Sequence, residues 1–535
     1  MENVLVLAFI LKRRICKMNV NGRARSNKSI IRRDIMFLRK GRVTTRVLSM
    51  LFVIMLLLSV VACGPSGVDP VTDPVDPGVT SGVPAVSDTS AVTTKEYTAP
   101  DVFYDFAEYV ILVTGNASSG VNPFDFANTE NVLDNSVYQR NVQVEEELGI
   151  TIDVIYETGA GNTGNGPGTR RIQADATAMD STYDSCLISA YDCGVLAYQN
   201  YLAKLNDMPK MNLSASYWDA NAVEQLSVNG NLFFTTGDIS FHDKEYTFAV
   251  IFNKDIAKEK QLGDFYADVR EGKWTFDRFA EASRAISEDL NGDDILDSRD
   301  KYGLIIWDDT ILPMLHAAGQ KLITLDEDGI PELTLNTETT ANVLESFINL
   351  AAEDCTINFQ HTSGGVQWMD MYTNEQSLFL LEYFKALPLF RDTELDYGLL
   401  PFPKFSETQD EYLSGYSVWH TSFYCIPAIV AEPEFSGAVT ESLAYHSQQL
   451  VTPAYYEKTL VGRTIRDDES RETIEIIFEN RTYDLGLIYR VGNLNSVILN
   501  MLRNNNPSFA SSYNSVKAIA EMSVRELISN FEIEE

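Results

Sequence analysis

The residues best spaced for chemistry lie in Asp289-Leu-Asn291-Gly-Asp293-Asp294-Ile295-Leu-Asp297-Ser-Arg-Asp300. Oxygen donors fall at loop positions 1, 3, 5, 9 and 12 and the Ile295 carbonyl at position 7, the spacing by which a twelve-residue loop wraps calcium. Position 6, usually Gly, is Asp294, and position 12, usually Glu, is Asp300. Asp tolerates a left-handed backbone better than most residues, so the first departure is mild. Five carboxylates in this stretch repel one another without a cation. The spacing therefore predicts a structural calcium held by Asp289, Asn291, Asp293, Ile295, Asp297 and Asp300; the alternative is a solvated acidic turn.

Other patterns are weaker. Gly159-Ala-Gly161-Asn-Thr-Gly164 spells the dinucleotide fingerprint G-x-G-x-x-G, with Asp184 twenty residues beyond its last glycine. Asn165-Gly166-Pro167-Gly168 then reads as more loop, where a helix should open, so a flexible loop at a cleft rim is expected and not a nucleotide site. His242, His316, His361, His420 and His446 are scattered with no nucleophile and base at a recognisable spacing. Two carboxylates suffice for glycoside hydrolysis, but the chain has so many acids that a chance pair is inevitable. Of the cysteines after position 63, Cys186, Cys193, Cys355 and Cys425 form no C-x-x-C pair, which argues against zinc. Buried free thiols are expected, with a Cys186–Cys193 bridge as the alternative.

The elements that must position these residues alternate. Tyr109–Val113, Ile150–Tyr156, Cys186–Ala190, Leu232–Thr235, Phe248–Asn253, Tyr302–Ile306, Ser377–Leu381 and Tyr397–Phe402 read as buried strands. Helices are expected over Asn135–Leu148, stopped by Gly149, and over Thr275–Leu290, capped by Thr275. Strand alternating with helix predicts an α/β fold with mainly parallel sheets, and from about Pro433 onward the pattern is almost purely helical.

Ahead of this body stands a different kind of chain. Residues 1–62 hold 13 basic against two acidic side chains, so the formal net charge of -34 divides into +11 for the leader and -45 for the rest. A body that acidic excludes nucleic acid as a partner. Val47–Ala62 is apolar and follows Arg39, Lys40, Arg42 and Arg46, the layout of an export signal, too short to serve as a comfortable membrane span. Val60-Val61-Ala62-Cys63 resembles a bacterial lipobox, which implies lipidation of Cys63 after cleavage before it. Met36 is a better-placed start for such a signal than Met1. Residues 64–100 contain six of the 18 prolines among Gly, Ser, Thr and Val and read as a tether with a reach on the order of 35 Å. The expected divisions are thus 1–62 leader, 63–100 lipidated Cys and tether, and 101–535 body.

Several segments of the body carry a resemblance. Asn135-Ser-Val-Tyr-Gln-Arg-Asn141 leading to Glu145-Glu-Glu-Leu-Gly-Ile-Thr-Ile-Asp153, then Tyr183-Asp184, Phe252-Asn253-Lys254-Asp255, Gly272-Lys273-Trp274-Thr275, Asp396-Tyr-Gly-Leu-Leu-Pro-Phe-Pro-Lys404 and Pro453-Ala-Tyr-Tyr-Glu457 occur in an order that resembles extracellular solute-binding proteins of ABC importers. The match is closest to family 1, whose lipoprotein members mostly bind sugars. The resemblance implies a two-lobed, type II periplasmic-binding-protein-like fold, with lobe 1 about 104–243 and 396–445, lobe 2 about 244–395 and 446–535, and crossings near Ser240–Thr247 and Asp396–Pro403. It implies a monomer at the outer membrane face that captures a carbohydrate, an oligosaccharide above all, and delivers it to ABC permease subunits without performing a reaction. An exported carbohydrate-active hydrolase and a binder of peptide or another solute are the alternatives, and a dockerin-like docking module ranks last because only one such loop is present.

Sugar rings pack their C–H faces on aromatic side chains while their hydroxyls need polar partners. Trp218, Phe241, Trp307, Trp368, Tyr416 and Trp419 lie in or beside segments the resemblance places at the cleft, and Asp238 and Asp308 at strand ends are candidates for the hydroxyls. Trp274, opening an amphipathic helix, is expected simply to pack.

Overall fold

A computed structural model describes residues 97–115, 123–125, 129–159, 164–457 and 467–531. The leader, Cys63 and nearly all of the tether lie outside the described residues. Among the described residues thirteen strands follow in chain order: β1 Ala107–Thr114, β2 Ile150–Glu157, β3 Ser185–Ser189, β4 Phe234–Thr235, β5 Phe248–Asn253, β6 Ser287–Glu288, β7 Lys301–Ile306, β8 Ile323–Leu325, β9 Pro331–Leu333, β10 Thr356–Asn358, β11 Ser377–Tyr383, β12 Tyr397–Leu400 and β13 Ser422–Cys425. β3 and β5 are buried along their whole length, as expected of central strands covered on both faces, which is why they read as continuous apolar runs.

Two large sheets and a two-stranded ribbon, β8 with β9, are built from them. The first has the order β2-β1-β3-β13-β4, and the second β10-β7-β11-β5-β12 with the short β6 beside β7. In the first, β13 runs antiparallel to both β3 and β4; in the second, β5 runs antiparallel to both β11 and β12. The other ladders of the two main paths are parallel. The two orders are therefore the same once the reversed strand is set aside. Each reversed strand is also the first one the chain forms after leaving the opposite sheet: β5 follows β4, and β13 follows β12. A strand fed from the other lobe, with no helical crossover to turn the chain round, enters against its neighbours.

The helices cover these sheets and obey local signals. The helix Val132–Leu148 is capped by Asn131, whose side chain accepts from Leu133 N, and ends at Gly149 in the left-handed region, φ 63°. A Cβ there would stand 2.3 Å from the Phe103 ring, so a second constraint adds to the conformational one. Thr275 caps the helix Phe276–Arg284 through Arg278 N. That helix stops short of the expected Leu290, because Ser287 and Glu288 pair with β7. Trp274 packs as expected: it is fully buried, its indole N–H donates to the Pro401 carbonyl at 2.9 Å, and its ring lies against Phe265, Phe279 and Phe379. The carboxyl-terminal part is helical, through Pro433–His446, Asp468–Glu479, Leu494–Arg503 and Phe509–Phe531.

Two divisions differ from expectation. β12 belongs to the second sheet, pairing with β5, so the crossing back to the first sheet falls after Leu400 and before Ser422. The residues after 446 do not all pack on the second lobe. Asp468–Glu479 packs on β12, whereas Leu485–Ile488 packs on the first-lobe helix Ala190–Tyr198, and the Phe531 ring lies 5.1 Å from that of Phe233. The apolar faces of these late helices require surfaces that only both sheets together supply.

Candidate functional site

Between the two sheets lies a cleft of about 610 Å³. The second lobe contributes Trp307 to Asp309, directly after β7, Glu382 and Tyr383 at the end of β11, and Gln360 after β10. The first lobe contributes Tyr191, just after β3, and Trp419 and His420, just before β13. Side chains at the carboxyl ends of parallel strands converge on the crevice where α/β sheets bind ligands.

The connecting segments lie side by side behind it. Thr247 and Tyr416 form an antiparallel bridge, with Phe248 N donating to Gly415 O at 3.0 Å and Ser417 N to Tyr246 O at 2.9 Å. Ser414 also pairs with Arg481: Ser414 N donates to Asn480 O at 2.9 Å and Thr482 N to Ser414 O at 3.0 Å. A buried ion network backs this three-strand hinge. Arg481 Nε donates to Asp219 Oδ2 at 3.1 Å and its guanidinium reaches Asp243 at 3.2 Å, while Lys244 stands 3.7 Å from Asp243 and 3.5 Å from Asp238. Burial pushes Asp219 up, but the Arg481 charge and the hydrogen bonds it receives outweigh that and hold it below the usual carboxylate range.

Within the cleft the carboxyls divide into two kinds. Asp308 is fully partnered: Asn358 Nδ2 donates to its Oδ1 at 2.9 Å, His361 Nε2 stands 2.7 Å from the same oxygen, and Arg503 donates to Oδ2. Burial raises its pKa, and these three partners more than reverse that. Asp309 and Glu382 are different. Burial raises Asp309 to about 6, with Asp308 adding to the rise, its own backbone N–H and Arg503 opposing it. Burial likewise raises Glu382 to about 8, with the Asp309 charge pushing the same way and the Tyr383 N–H and Trp307 indole opposing it. His420 is held down at about 4 by burial and by Lys385; it lies over Tyr246, ring centroids 5.3 Å apart, with Nδ1 2.9 Å from Ser417 Oγ.

The aromatic walls are Trp307 and Trp368, edge to face at 5.8 Å, opposed by Trp419 edge to face with Tyr191 at 6.4 Å. Trp419 is 47% exposed, an open apolar face on the first-lobe side. Of the residues expected at a ligand, Trp307, Asp308, Trp368, Tyr416 and Trp419 line this cleft. Trp218, Phe241 and Asp238 do not. Trp218 is buried with its indole N–H 3.4 Å from Glu441, Phe241 stacks on Tyr455 in a separate apolar cluster, and Asp238 is taken up by Lys244 and by Thr452 Oγ1 at 2.7 Å. All three precede β5, in the crossing and its approach, so they serve the hinge's packing. Asp309, Glu382, Tyr383 and Tyr191 were not singled out from the sequence, although a lone acid closing the apolar run of β11 was a visible signal.

The Asp289–Asp300 loop lies apart from the cleft lining. Asp294 takes the left-handed conformation, φ 60°, at the position where a calcium loop has Gly. Its carboxylates turn to the loop's own amides: Asp289 accepts from Gly292 N and Asp294 N, and Asp300 from Leu290 N and Asp297 N. The Arg299 guanidinium bridges Asp293, at 3.1 Å, and Asp297. Among the described residues no three His, Cys, Asp or Glu side chains are gathered as for a metal ion.

After the glycine run, part of which lies outside the described residues, a helix does open, at Pro167, with Gly166 as N-cap. The expected continuation of the loop is thus corrected, since Pro is well suited to a first helical position. The helix start faces Asp192, which accepts from Gly166 N and Thr169 Oγ1 at 2.8 Å each, so a carboxylate of the chain stands where a phosphate would lie. Cys186, Cys193, Cys355 and Cys425 are free and buried.

No protein-family profile matches the chain. No curated protein matches it in sequence. Solved structures do match in fold. A cyclo/maltodextrin-binding protein complexed with maltotetraose aligns with TM-score 0.53 at 12% identity, over 80% of this chain and 98% of the other. An ABC substrate-binding protein from Listeria monocytogenes in complex with cycloalternan aligns with TM-score 0.50 at 13% identity, over 78% of this chain and 99% of the other. Two lobes with sheets of matching order, hinge strands laid side by side and a cleft between them agree with these alignments. The chain has the two-lobed α/β fold of ABC solute-binding proteins.

Proposed function

We propose that this protein is an extracytoplasmic solute-binding protein that captures a carbohydrate in the interlobe cleft and delivers it to the permease of an ABC transporter. The observation that carries this reading is the cleft itself, with tryptophans on both walls and polar side chains between them, spanned by a hinge. Ring faces pack on Trp307, Trp368 and Trp419, and hydroxyls bond Gln360 and the carboxyls. Contacts from both lobes favour the closed state, and closure is what a permease would sense. The neighbours are described with bound oligosaccharides, maltotetraose in one and cycloalternan in the other, which supports a ligand of that class.

The anchor belongs to the same reading: the leader is removed, Cys63 is lipidated, and the body hangs from the tether at the membrane's outer face. For the Asp289–Asp300 loop we propose calcium, which would have to displace Arg299 from Asp293 and Asp297. Added calcium should then raise the unfolding temperature and a chelator lower it; identical curves would remove the ion from the account.

A thermal-shift screen against oligosaccharides tests the main reading. Ligand at about 100 times its dissociation constant adds about 2.7 kcal/mol to stability, an easily measured rise. One observation favours a second reading: Glu382 holding a proton near neutral pH in the same cleft as an ionised Asp308 is the division of labour a glycosidase needs. Release of shorter sugars during incubation would establish hydrolysis and end the binding-only account.

A further inference from the structure

Asp309 and Glu382 line the second lobe's side of the cleft, after β7 and at the end of β11. Glu382 is 3% exposed, and its carboxyl accepts from Tyr383 N at 3.0 Å. Among the described residues neither carboxyl has a cation within ion-pair distance. The nearby cations are engaged elsewhere: Arg503 and His361 on Asp308, Arg490 over the Tyr191 ring, Lys385 on Glu245 and Tyr246. Nor is a metal ion indicated, since among the described residues no third ligating side chain is gathered with the pair.

Buried acids are normally paired, because desolvating a carboxylate costs more than a single hydrogen bond returns. A neutral sugar could donate hydroxyls to one oxygen after another, yet it would bring the two carboxyls no counter-charge. A cation supplies that counter-charge and lets both carboxyls ionise in the cleft. The surroundings suit an organic cation, for the rings of Trp307 and Tyr383 adjoin the pair and their faces attract positive charge. The net charge of the body also draws cationic solutes toward the protein.

We propose that the cleft selects a saccharide bearing a primary ammonium group, which sits between Asp309 and Glu382 while its rings pack on the tryptophan walls. This deepens the carbohydrate reading and rests on it. The amine could equally arrive on a basic peptide, so the test separates the two sources.

Titration calorimetry on the purified protein would compare the glucosamine trimer, its neutral N-acetylated counterpart, maltotriose and trilysine. The glucosamine trimer should bind roughly tenfold or more tighter than either neutral sugar. Glu382→Gln and Asp309→Asn should each bring the affinity ratio of the glucosamine trimer to the neutral trimers close to one, whatever each does to neutral-sugar binding itself, with unfolding curves confirming that the variants fold. Equal or tighter binding of a neutral trimer, or a preference that survives both substitutions, overturns the ammonium proposal and leaves carbohydrate capture standing. Tight binding of trilysine alone overturns the saccharide half. Failure of every sugar, neutral or charged, to bind the folded protein overturns the carbohydrate reading with it.

Discussion

Glu382 binds a proton more tightly folded than unfolded, because burial and Asp309 raise its pKa from an ordinary 4.5 to about 8. A raised acid contributes stability that is present below its unfolded pKa and is lost as pH rises toward the folded value. The unliganded protein should therefore lose stability between about pH 5 and pH 8. A tenfold difference in proton affinity is worth about 1.4 kcal/mol, and solvent in the cleft screens part of the effect, so the loss attributable to this residue is on the order of 3 kcal/mol. Chemical denaturation at several pH values should show a flatter profile for Glu382→Gln than for the parent; parallel profiles would deny the side chain its role. At this scale the sequence was half legible. Trp307 and Asp308 were reachable because they end a strong strand pattern; Glu382 stands just past the expected strand Ser377–Leu381, a signal left unused, and Asp309 looked like one acid among many. Trp218 and Phe241 had the right chemistry for a ligand, but aromatic type alone does not distinguish a wall from a core.

The three hinge segments depend on one cation at the element scale. Arg481 is buried against Asp219 and Asp243, and Tyr483 OH also donates to Asp219 at 2.8 Å. Removing one partner of a buried ion pair leaves an uncompensated charge and costs about 3–5 kcal/mol. Asp219→Ala should lower unfolding stability by that order in a denaturant titration, and a change under about 1 kcal/mol, the worth of a surface pair, would show the network to be solvent-screened. Trp274 is the core counterpart. Trp274→Ala should cost about 3–5 kcal/mol by leaving a cavity between the sheet and helix Phe276–Arg284, with no effect on ligand affinity at temperatures where the variant stays folded. Long elements with clean periodicity were legible, down to the Asn253–Lys254 strand end and the Gly149 stop. β13 was not, because Ser-Phe-Tyr-Cys is too short for periodicity to speak and its partners lie far away in sequence, Phe423 on Ile188 and Tyr424 on Thr235.

At the scale of the molecule, two sheets of identical order joined by paired strands form a hinged clamp. A saturating ligand that touches both lobes should reduce the radius of gyration in small-angle scattering; an unchanged radius with proven binding would mean that the cleft is already closed without ligand. The two-lobed fold was legible from the resemblance, and the chain leaves the first sheet for the second between Thr235 and Phe248. The second crossing was placed too early because Tyr397–Leu400 reads equally well as a strand of either sheet, and only the pairing with β5 decides it.

The position of β13 between β3 and β4 also bears on how the protein comes to be folded. Neither lobe is a continuous stretch of chain, so a nascent polypeptide that has produced everything up to residue 421 still lacks the strand on which β4 depends. Until Ser422–Cys425 emerges, β3 presents a bare edge capable of pairing with another molecule. Productive folding of the first lobe must wait for most of the chain, and a protein built this way gains from remaining unfolded until that point.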